Sequence, residues 1–251
     1  MKGALLALLL AGTSPGSDEL FALYARGQYD EAMREGAASG TAAGLAIASR
    51  AAMADAMTRR EPCLECLKRG EDFARRAIAA DGTMADGHVW LAAALGYEAR
   101  IVGLVRARLK NDPAEAKQSL DEAMRLQPGN AYALAALGGW NVEVVRVGGK
   151  FLANKLYGAS LKQGMALFDR ATRAAPRNVA VRYQIALSLA GLGAPATRER
   201  MESELEAAIQ AAPETAYEKF VQTRARELQM LLKRGDSAAF DAKVRLFQGY
   251  P

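Results

Sequence analysis

The chain has 251 residues, of which 51% are hydrophobic and 24% are charged, and its formal net charge is +5. This balance excludes an intrinsically disordered protein, and the length leaves ample apolar residues for a core. The basic residues are spread along the chain, the densest pairs being Arg59-Arg60 and Arg75-Arg76, and no base-reading or base-stacking motif accompanies them. We therefore expect no nucleic-acid partner.

Residues 1–16 have the order of parts that is typical of a secretory signal. Lys2 precedes an apolar run from Ala4 to Ala11, and small residues with Pro15 follow. Such a run is too short to cross a bilayer. The sequence therefore predicts a signal peptide, an exported and periplasmic protein, and no transmembrane segment in the mature chain. The alternative is an apolar first helix that packs on the end of the fold.

Residues 17–60 predict N-terminal capping helices. Ser17 or Asp18 can cap the first of them, and Gly27 turns the chain into the second. We expect three helices in this part of the chain, the last of them rich in alanine, over residues 17–26, 29–38 and 41–58.

Two cysteines are the one constellation in the sequence that invites chemistry. Pro62 suits the first turn of a helix, so that Cys63 lies where the helix dipole lowers a thiol pKa and Cys66 lies one turn further on. In an oxidising compartment we expect a local disulfide between them, with ordinary thiols or redox function as alternatives. With His88 as the sole histidine, the pair lacks the ligands of a structural zinc site.

Three stretches end in one recurring pattern, in which a larger residue and then an alanine precede a proline, and a fainter copy before them has Ala74 in place of the larger residue and Gly82 in place of the proline. The alanine lets one helix approach its partner closely, the larger residue fills the gap one turn earlier, and the proline ends the helix. The copies are Gly70-x3-Ala74-x2-Ala77-x4-Gly82, Ala116-x3-Leu120-x2-Ala123-x4-Pro128, Gly164-x3-Phe168-x2-Ala171-x4-Pro176 and Met201-x3-Leu205-x2-Ala208-x4-Pro213. This is the tetratricopeptide-repeat pattern.

The pattern predicts an all-α fold, a tetratricopeptide-like right-handed α-solenoid of antiparallel helix pairs. Residues 61–213 form its repeats, and residues 214–251 form C-terminal capping helices. Two repeats exceed the usual length of roughly 34 residues by about a dozen, at 97–109 and 144–158. The predicted helices after the first signature are 84–108, 113–126, 130–155, 159–174, 178–192, 196–211, 214–233 and 237–247.

The two longer repeats resemble the regulator of microtubule dynamics family. The resemblance covers roughly residues 60–195 and includes a leucine-glycine-x-tryptophan run, an acidic residue followed by valine, and a leucine-aromatic-glycine step. In this chain these stand within 88–96, 119–128, 133–144, 156–158 and 166–171. The resemblance implies a helical repeat domain used for protein association, without catalytic residues. Eukaryotic members are tied to microtubules and mitochondria, whereas a short leader indicates an exported, bacterial-type setting, so we carry over the binding role alone.

In tetratricopeptide repeats, certain positions of the first helix of each pair face a concave groove. Here these positions are mostly small and apolar with tyrosines at the edge, unlike the basic clamps that hold a C-terminal carboxylate. We expect the groove to take an apolar peptide segment, a helix, or the protein's own C-terminal helix. The candidate partner-binding residues are Asp86, Val89, Ala93, Tyr132, Ala135, Gly139, Tyr183 and Leu187.

The sequence contains no Gly-rich phosphate loop, nucleophile elbow or HExxH motif. We therefore expect a non-catalytic scaffold that binds a protein or peptide through the apolar groove, without a cofactor or metal. Two alternatives are an accessory protein that holds a small hydrophobic ligand and a thiol-redox protein that uses Cys63 and Cys66.

Overall fold

The computed structural model describes residues 16–251, apart from the side chain of Leu104. These residues form thirteen α-helices and a single 3-10 turn, with no strand among them. The helices are α1 (Ser17–Ala25), α2 (Tyr29–Ser39), α3 (Ala42–Thr58), α4 (Leu64–Ala80), α5 (Ala85–Val102), α6 (Leu104–Leu109), α7 (Asp112–Leu126), α8 (Ala131–Tyr157), α9 (Leu161–Ala174), α10 (Val179–Leu192), α11 (Arg198–Gln210), α12 (Ala216–Arg234) and α13 (Ser237–Phe247), with the 3-10 turn over Pro195–Thr197.

The helices pack as antiparallel pairs that stack side by side. The pairs α5 with α7, α8 with α9 and α10 with α11 each make extensive contacts, and α3 packs against both α2 and α4. The first helices of successive pairs also touch one another, so that α3, α5, α8, α10 and α12 form one inner layer. The predicted all-α helical-repeat solenoid is therefore confirmed, whereas the tetratricopeptide assignment stays a prediction from the repeat pattern.

The recurring alanines lie where one helix of a pair meets the other. Ala77, Ala123, Ala171 and Ala208 are all fully buried. In the third copy, α8 also has a small residue where it meets α9, because a Cβ atom added at Gly138 would lie 2.5 Å from Cε1 of Phe168. The small residue thus makes room for a large one on the neighbouring helix, and the two helices lie closer than larger side chains would allow.

Helix starts in the repeats use the same side-chain cap. After Pro128 and Pro176, Oδ1 of Asn130 accepts a hydrogen bond from the Ala133 amide at 3.0 Å, and Oδ1 of Asn178 accepts one from the Val181 amide at 2.9 Å. These bonds satisfy amides that a helix leaves unpaired at its first turn. They fix the starts of α8 and α10 and hence the positions of the inner layer.

Two predicted helices are interrupted by glycines with positive φ. The helix expected over 84–108 ends at Val102, because Gly103 has φ 83° and the chain restarts as the short α6. The helix expected over 130–155 runs on to Tyr157, but Gly149 inside it has φ 72° and separates a terminal stretch, 150–157, from the rest. Both breaks fall in the longer repeats, and glycine adopts this backbone conformation without the steric cost that a Cβ atom would bring.

The first and last parts of the described chain meet. Helix α12 contacts the nearby α10 and also α3 and α1 from the N-terminal part of the chain. The approach is close, since a Cβ atom added at Gly27 would lie 2.9 Å from Cβ of Ala216. The predicted signal peptide lies outside the described residues except for Gly16. Among residues 16–251, every helix is too short or too polar to be a candidate for crossing a bilayer.

Candidate functional site

The predicted groove residues lie on the inner layer, but many of them are covered by the chain itself. Val89, Ala135, Tyr183 and Leu187 are almost fully buried, with at most 3% of each side chain exposed. Ala93, Tyr132 and Gly139 are half-buried, and only Asp86 is exposed. Binding of a partner by these residues stays a prediction, and Val89 is packed against Ala123 of α7 and Ala133 of α8 instead of facing an open groove.

Tyr183 and Leu187 are covered by α12 and the residues after α13, respectively. Nε2 of Gln248 donates to the Leu187 carbonyl at 3.1 Å, and Nη1 of Arg100 on α5 donates to the Gln248 carbonyl at 3.0 Å. Two residues on, the Tyr250 hydroxyl bonds to Glu143 of α8. The C-terminal segment is therefore tied to three inner helices, α5, α8 and α10.

At the other end of the inner layer, Arg50 of α3 lies among four aromatic rings. Its guanidinium carbon is 4.5 Å from the centre of the Tyr24 ring and 5.3 Å from that of Phe21, both on α1. It is 5.2 Å from the Trp90 ring on α5 and 4.9 Å from the Tyr132 ring on α8. Each distance is within the range of a cation–π interaction, so that one arginine joins four helices.

Hydrogen bonds extend this cluster to a fifth helix. Nη2 of Arg50 donates to the Tyr132 hydroxyl at 2.9 Å, and Nδ2 of the α10 cap, Asn178, donates to the same hydroxyl at 3.2 Å. Burial alone would lower the pKa of Arg50, but Tyr24 and Tyr132 outweigh that effect and raise its pKa above the ordinary value. Burial raises the pKa of Tyr132. The arginine therefore stays charged and the tyrosine neutral at physiological pH.

A cleft of about 230 Å³ opens beside the Arg50 cluster, between α1, α3 and α5. Its walls are mostly apolar, while Asp18 and Asp86 place two carboxylates at its mouth, where both are exposed. Oδ1 of Asp86 also accepts a hydrogen bond from Nδ2 of Asn130 at 3.2 Å, which holds that carboxylate in place. The lining residues are Ser17, Asp18, Phe21, Ala43, Ala46, Ile47, Arg50, Met84, Asp86 and Trp90.

The cleft combines apolar surface with excess negative charge. Arg50 carries the one positive charge among its lining residues, and the aromatic rings and the Tyr132 hydroxyl already surround that charge. Neither carboxylate at the mouth forms an ion pair among the described residues, although Asp86 contributes to the raised pKa of Arg50. The arrangement can therefore accept an apolar side chain that carries, or stands next to, a positively charged group.

Cys63 and Cys66 are joined by a disulfide, with the two Cα atoms 5.3 Å apart. Cys63 is the residue before the first turn of α4, and its Sγ atom accepts a hydrogen bond from the Cys66 amide at 3.2 Å. Among the described residues there is no group of three or more His, Cys, Asp or Glu side chains that could hold a metal ion. The cysteine pair lies apart from the Arg50 cleft, since none of its residues lines it.

Sequence reasoning found Asp86 and Tyr132 of this site and missed Arg50, Phe21 and Trp90 as a set. Arg50 stands in an alanine-rich helix that was expected only to cap the solenoid. A signal was present, because Arg50 is the one charged residue between Ala42 and Ala54. A charged residue in such a stretch is seldom buried without partners, and here the partners are the rings.

Comparison with known families gives a match over most of the chain. The model of the family described as "Regulator of microtubule dynamics protein 1-3" matches residues 22–233, which include every helix from α2 to α11 and most of α12. Among curated proteins, none matches the chain significantly.

Proposed function

The chain belongs to the regulator of microtubule dynamics family, and from that premise we propose that it is a non-catalytic helical-repeat scaffold that binds a protein or peptide partner. That the chain is a helical scaffold for protein interactions follows from the family, whose helical members take part in such interactions. The location of the binding site is our own proposal: the partner binds at the cleft between α1, α3 and α5. Microtubules, which the family name mentions, are not part of the proposal.

The observation that carries the proposal is the open cleft itself. Helix α12 and residues 248–250 already contact several inner helices, whereas the cleft leaves about 230 Å³ beside Asp86 open. That volume is smaller than the roughly 300–1,000 Å³ of most small-molecule pockets, but it suits one or two side chains. The matching partner is a peptide segment with an apolar side chain next to a lysine or arginine.

Capture of partners from a native extract tests this function. We expect the double variant Asp18→Asn/Asp86→Asn to lose about ten-fold in retained partner, because the mouth carboxylates can no longer pair with its positive charge. Ala43→Trp fills the apolar part of the cleft and should have the same effect. The matched control is Asp30→Asn/Asp241→Asn, which makes the same charge change at exposed sites away from the cleft.

If both cleft variants retain every partner that the unchanged protein retains, the cleft is not the binding site. Native mass spectrometry distinguishes the small-ligand alternative, in which a co-purifying hydrophobic molecule disappears in Ala43→Trp. Circular dichroism of each variant shows whether the helices are retained.

The closed Cys63–Cys66 disulfide supports a second candidate function, thiol exchange with a partner. Cys63 is half-buried at the start of α4, where the helix dipole would stabilise a thiolate once the bond is reduced. An insulin-reduction assay tests this function, and turnover that is absent in Cys63→Ser would support it. No turnover with the unchanged protein would remove it.

Localisation is part of the same proposal. We infer from the composition of residues 1–16 that the protein is exported to the periplasm. Cell fractionation with N-terminal sequencing of the mature protein tests this inference, and a chain that keeps Met1 in the cytoplasmic fraction would contradict it.

A further inference from the structure

Two segments at one edge of the solenoid expose large apolar side chains. They are α6 and residues 150–157, the terminal stretch of α8, and together they are called the basic edge here. Leu109 and Phe151 are 84% and 74% exposed, far more than any core residue. The exposed apolar residues of the basic edge are Val105, Leu109, Phe151, Leu152 and Leu156.

The two segments occupy equivalent places in neighbouring repeats. Each begins after a glycine with positive φ, Gly103 or Gly149, at the carboxyl end of an inner helix. Trp140 contacts residues close to or within both segments, because its Nε1 donates at 2.9 Å to the Pro113 carbonyl at the start of α7, shortly after α6. Its ring also meets the edge of the Tyr157 ring at a centroid distance of 6.0 Å.

Each segment is held by one small residue and directs its larger side chains outward. Ala107 of α6 and Ala153 of the second segment are 1% exposed, so they attach the segments to the fold. Val105 and Leu109 are four residues apart, as are Leu152 and Leu156, and this spacing puts each pair on one side of its helix. The outward apolar faces therefore have no covering element within residues 16–251.

The charges on the basic edge all have one sign. Neither 103–111 nor 144–168 contains an aspartate or glutamate. Arg106, Arg108, Lys150 and Lys155 are exposed, and none of them forms an ion pair among the described residues. Elsewhere on the surface, several arginines of the helices are paired with a carboxylate one turn away, among them Arg59, Arg75, Arg76, Arg125 and Arg198.

We propose that the basic edge docks on an anionic lipid membrane surface. Unpaired lysines and arginines attract the headgroups, while protruding leucine and phenylalanine side chains enter the boundary between headgroups and acyl chains. A membrane fits better than a protein groove, because the apolar side chains stand on two separate short segments and both carry the same charge. The docking needs no spanning helix.

Flotation of the full chain with lipid vesicles tests the proposal. The unchanged protein should bind vesicles of phosphatidylcholine with phosphatidylglycerol, bind phosphatidylcholine alone far less, and lose binding as salt rises. Leu109→Ser/Phe151→Ser should weaken binding about ten-fold or more, because both side chains leave the lipid. Lys150→Gln/Lys155→Gln should weaken it by about ten-fold through lost headgroup attraction.

Matched controls use similar residues elsewhere on the surface. Met230→Ser/Leu246→Ser removes two exposed apolar side chains, and Lys219→Gln/Lys233→Gln removes two exposed lysines; both should bind like the unchanged protein. Equal binding to the two vesicle types, or equal effects of edge and control variants, would overturn the proposal. So would vesicle-independent self-association or protein binding that the edge variants abolish, since this would make the basic edge a protein interface.

Discussion

Arg50 and Lys155 are both cations beside aromatic rings, yet they belong to opposite kinds of surface. Arg50 lies among four aromatic rings that belong to three other helices, α1, α5 and α8, and it holds the inner layer together. Lys155 lies 5.8 Å from one ring, Phe151, which is itself exposed. A cation beside an aromatic ring is therefore part of the core where further helices cover it. It is part of an open surface where a longer repeat extends beyond the stacked helices.

The sharpest way to break this comparison is one substitution made in both regions. Phe168→Ala should lower the free energy of unfolding by about 3–5 kcal/mol, because the ring is 1% exposed and fills the space opposite Gly138. Phe151→Ala should change it by less than about 0.5 kcal/mol. Urea denaturation followed by circular dichroism measures both. Similar losses for the two variants would show that the basic edge is part of the core.

The contrast also marks how far sequence reasoning reaches. The buried state of Ala123, Ala171 and Phe168 and the ends of most helices follow from local patterns, since spacing within one helix pair and a proline stop determine them. The breaks at Gly103 and Gly149 do not follow, because a glycine inside a helical stretch is compatible with a helix until tertiary contacts favour a positive φ.

Long-range contacts set the limit for the site. Arg50 and the Tyr132 hydroxyl that it bonds are 82 residues apart in the chain, and no local spacing relates them. The sequence also leaves undecided what occupies the predicted groove, because an apolar lining suits a peptide, a helix or the protein's own C-terminal helix equally well. The contacts of Gln248 with Leu187 and Arg100 depend on how the last helices fold back, which repeat spacing does not encode.

A smaller effect sharpens the role of Arg50 itself. Arg50→Lys keeps the charge but should cost ~2 kcal/mol, because a compact ammonium cannot face several rings and reach the Tyr132 hydroxyl at once. The wavelength of the Trp90 fluorescence maximum should shift, because the guanidinium over its ring is replaced by an ammonium group. Arg177→Lys, at an exposed position, is the matched control and should change stability by less than about 0.5 kcal/mol. Equal unfolding curves for both variants would mean that the ring contacts contribute little.

Glu98 lies on α5, the helix that carries Trp90 of the Arg50 cluster and leads into α6 of the basic edge, and its pH dependence gives the finest test. The carboxyl group is 2% exposed, and Oε1 has no hydrogen-bond partner among the described residues. Burial, and after it the neighbouring Glu71 carboxylate, raise the pKa of Glu98 to about 8, against the smaller opposing effect of Lys110. The folded protein therefore keeps a proton that the unfolded chain loses near its ordinary pKa of 4.5.

This proton makes stability fall as pH rises. The contribution of Glu98 is fully present below about pH 4.5 and is lost as the pH passes through about 8, because the folded state must then bury a charge. Glu98→Gln should flatten this dependence and raise the free energy of unfolding at pH 8 by ~1–2 kcal/mol, water near the charged carboxylate offsetting part of the ~1.4 kcal/mol per pKa unit. Urea unfolding at several pH values measures the slope, with the exposed Glu199→Gln as control. If Glu98→Gln leaves the pH dependence of the free energy of unfolding unchanged, the carboxyl group is already ionised in the folded protein. The end of α5 before α6 would then be as open to water as the basic edge.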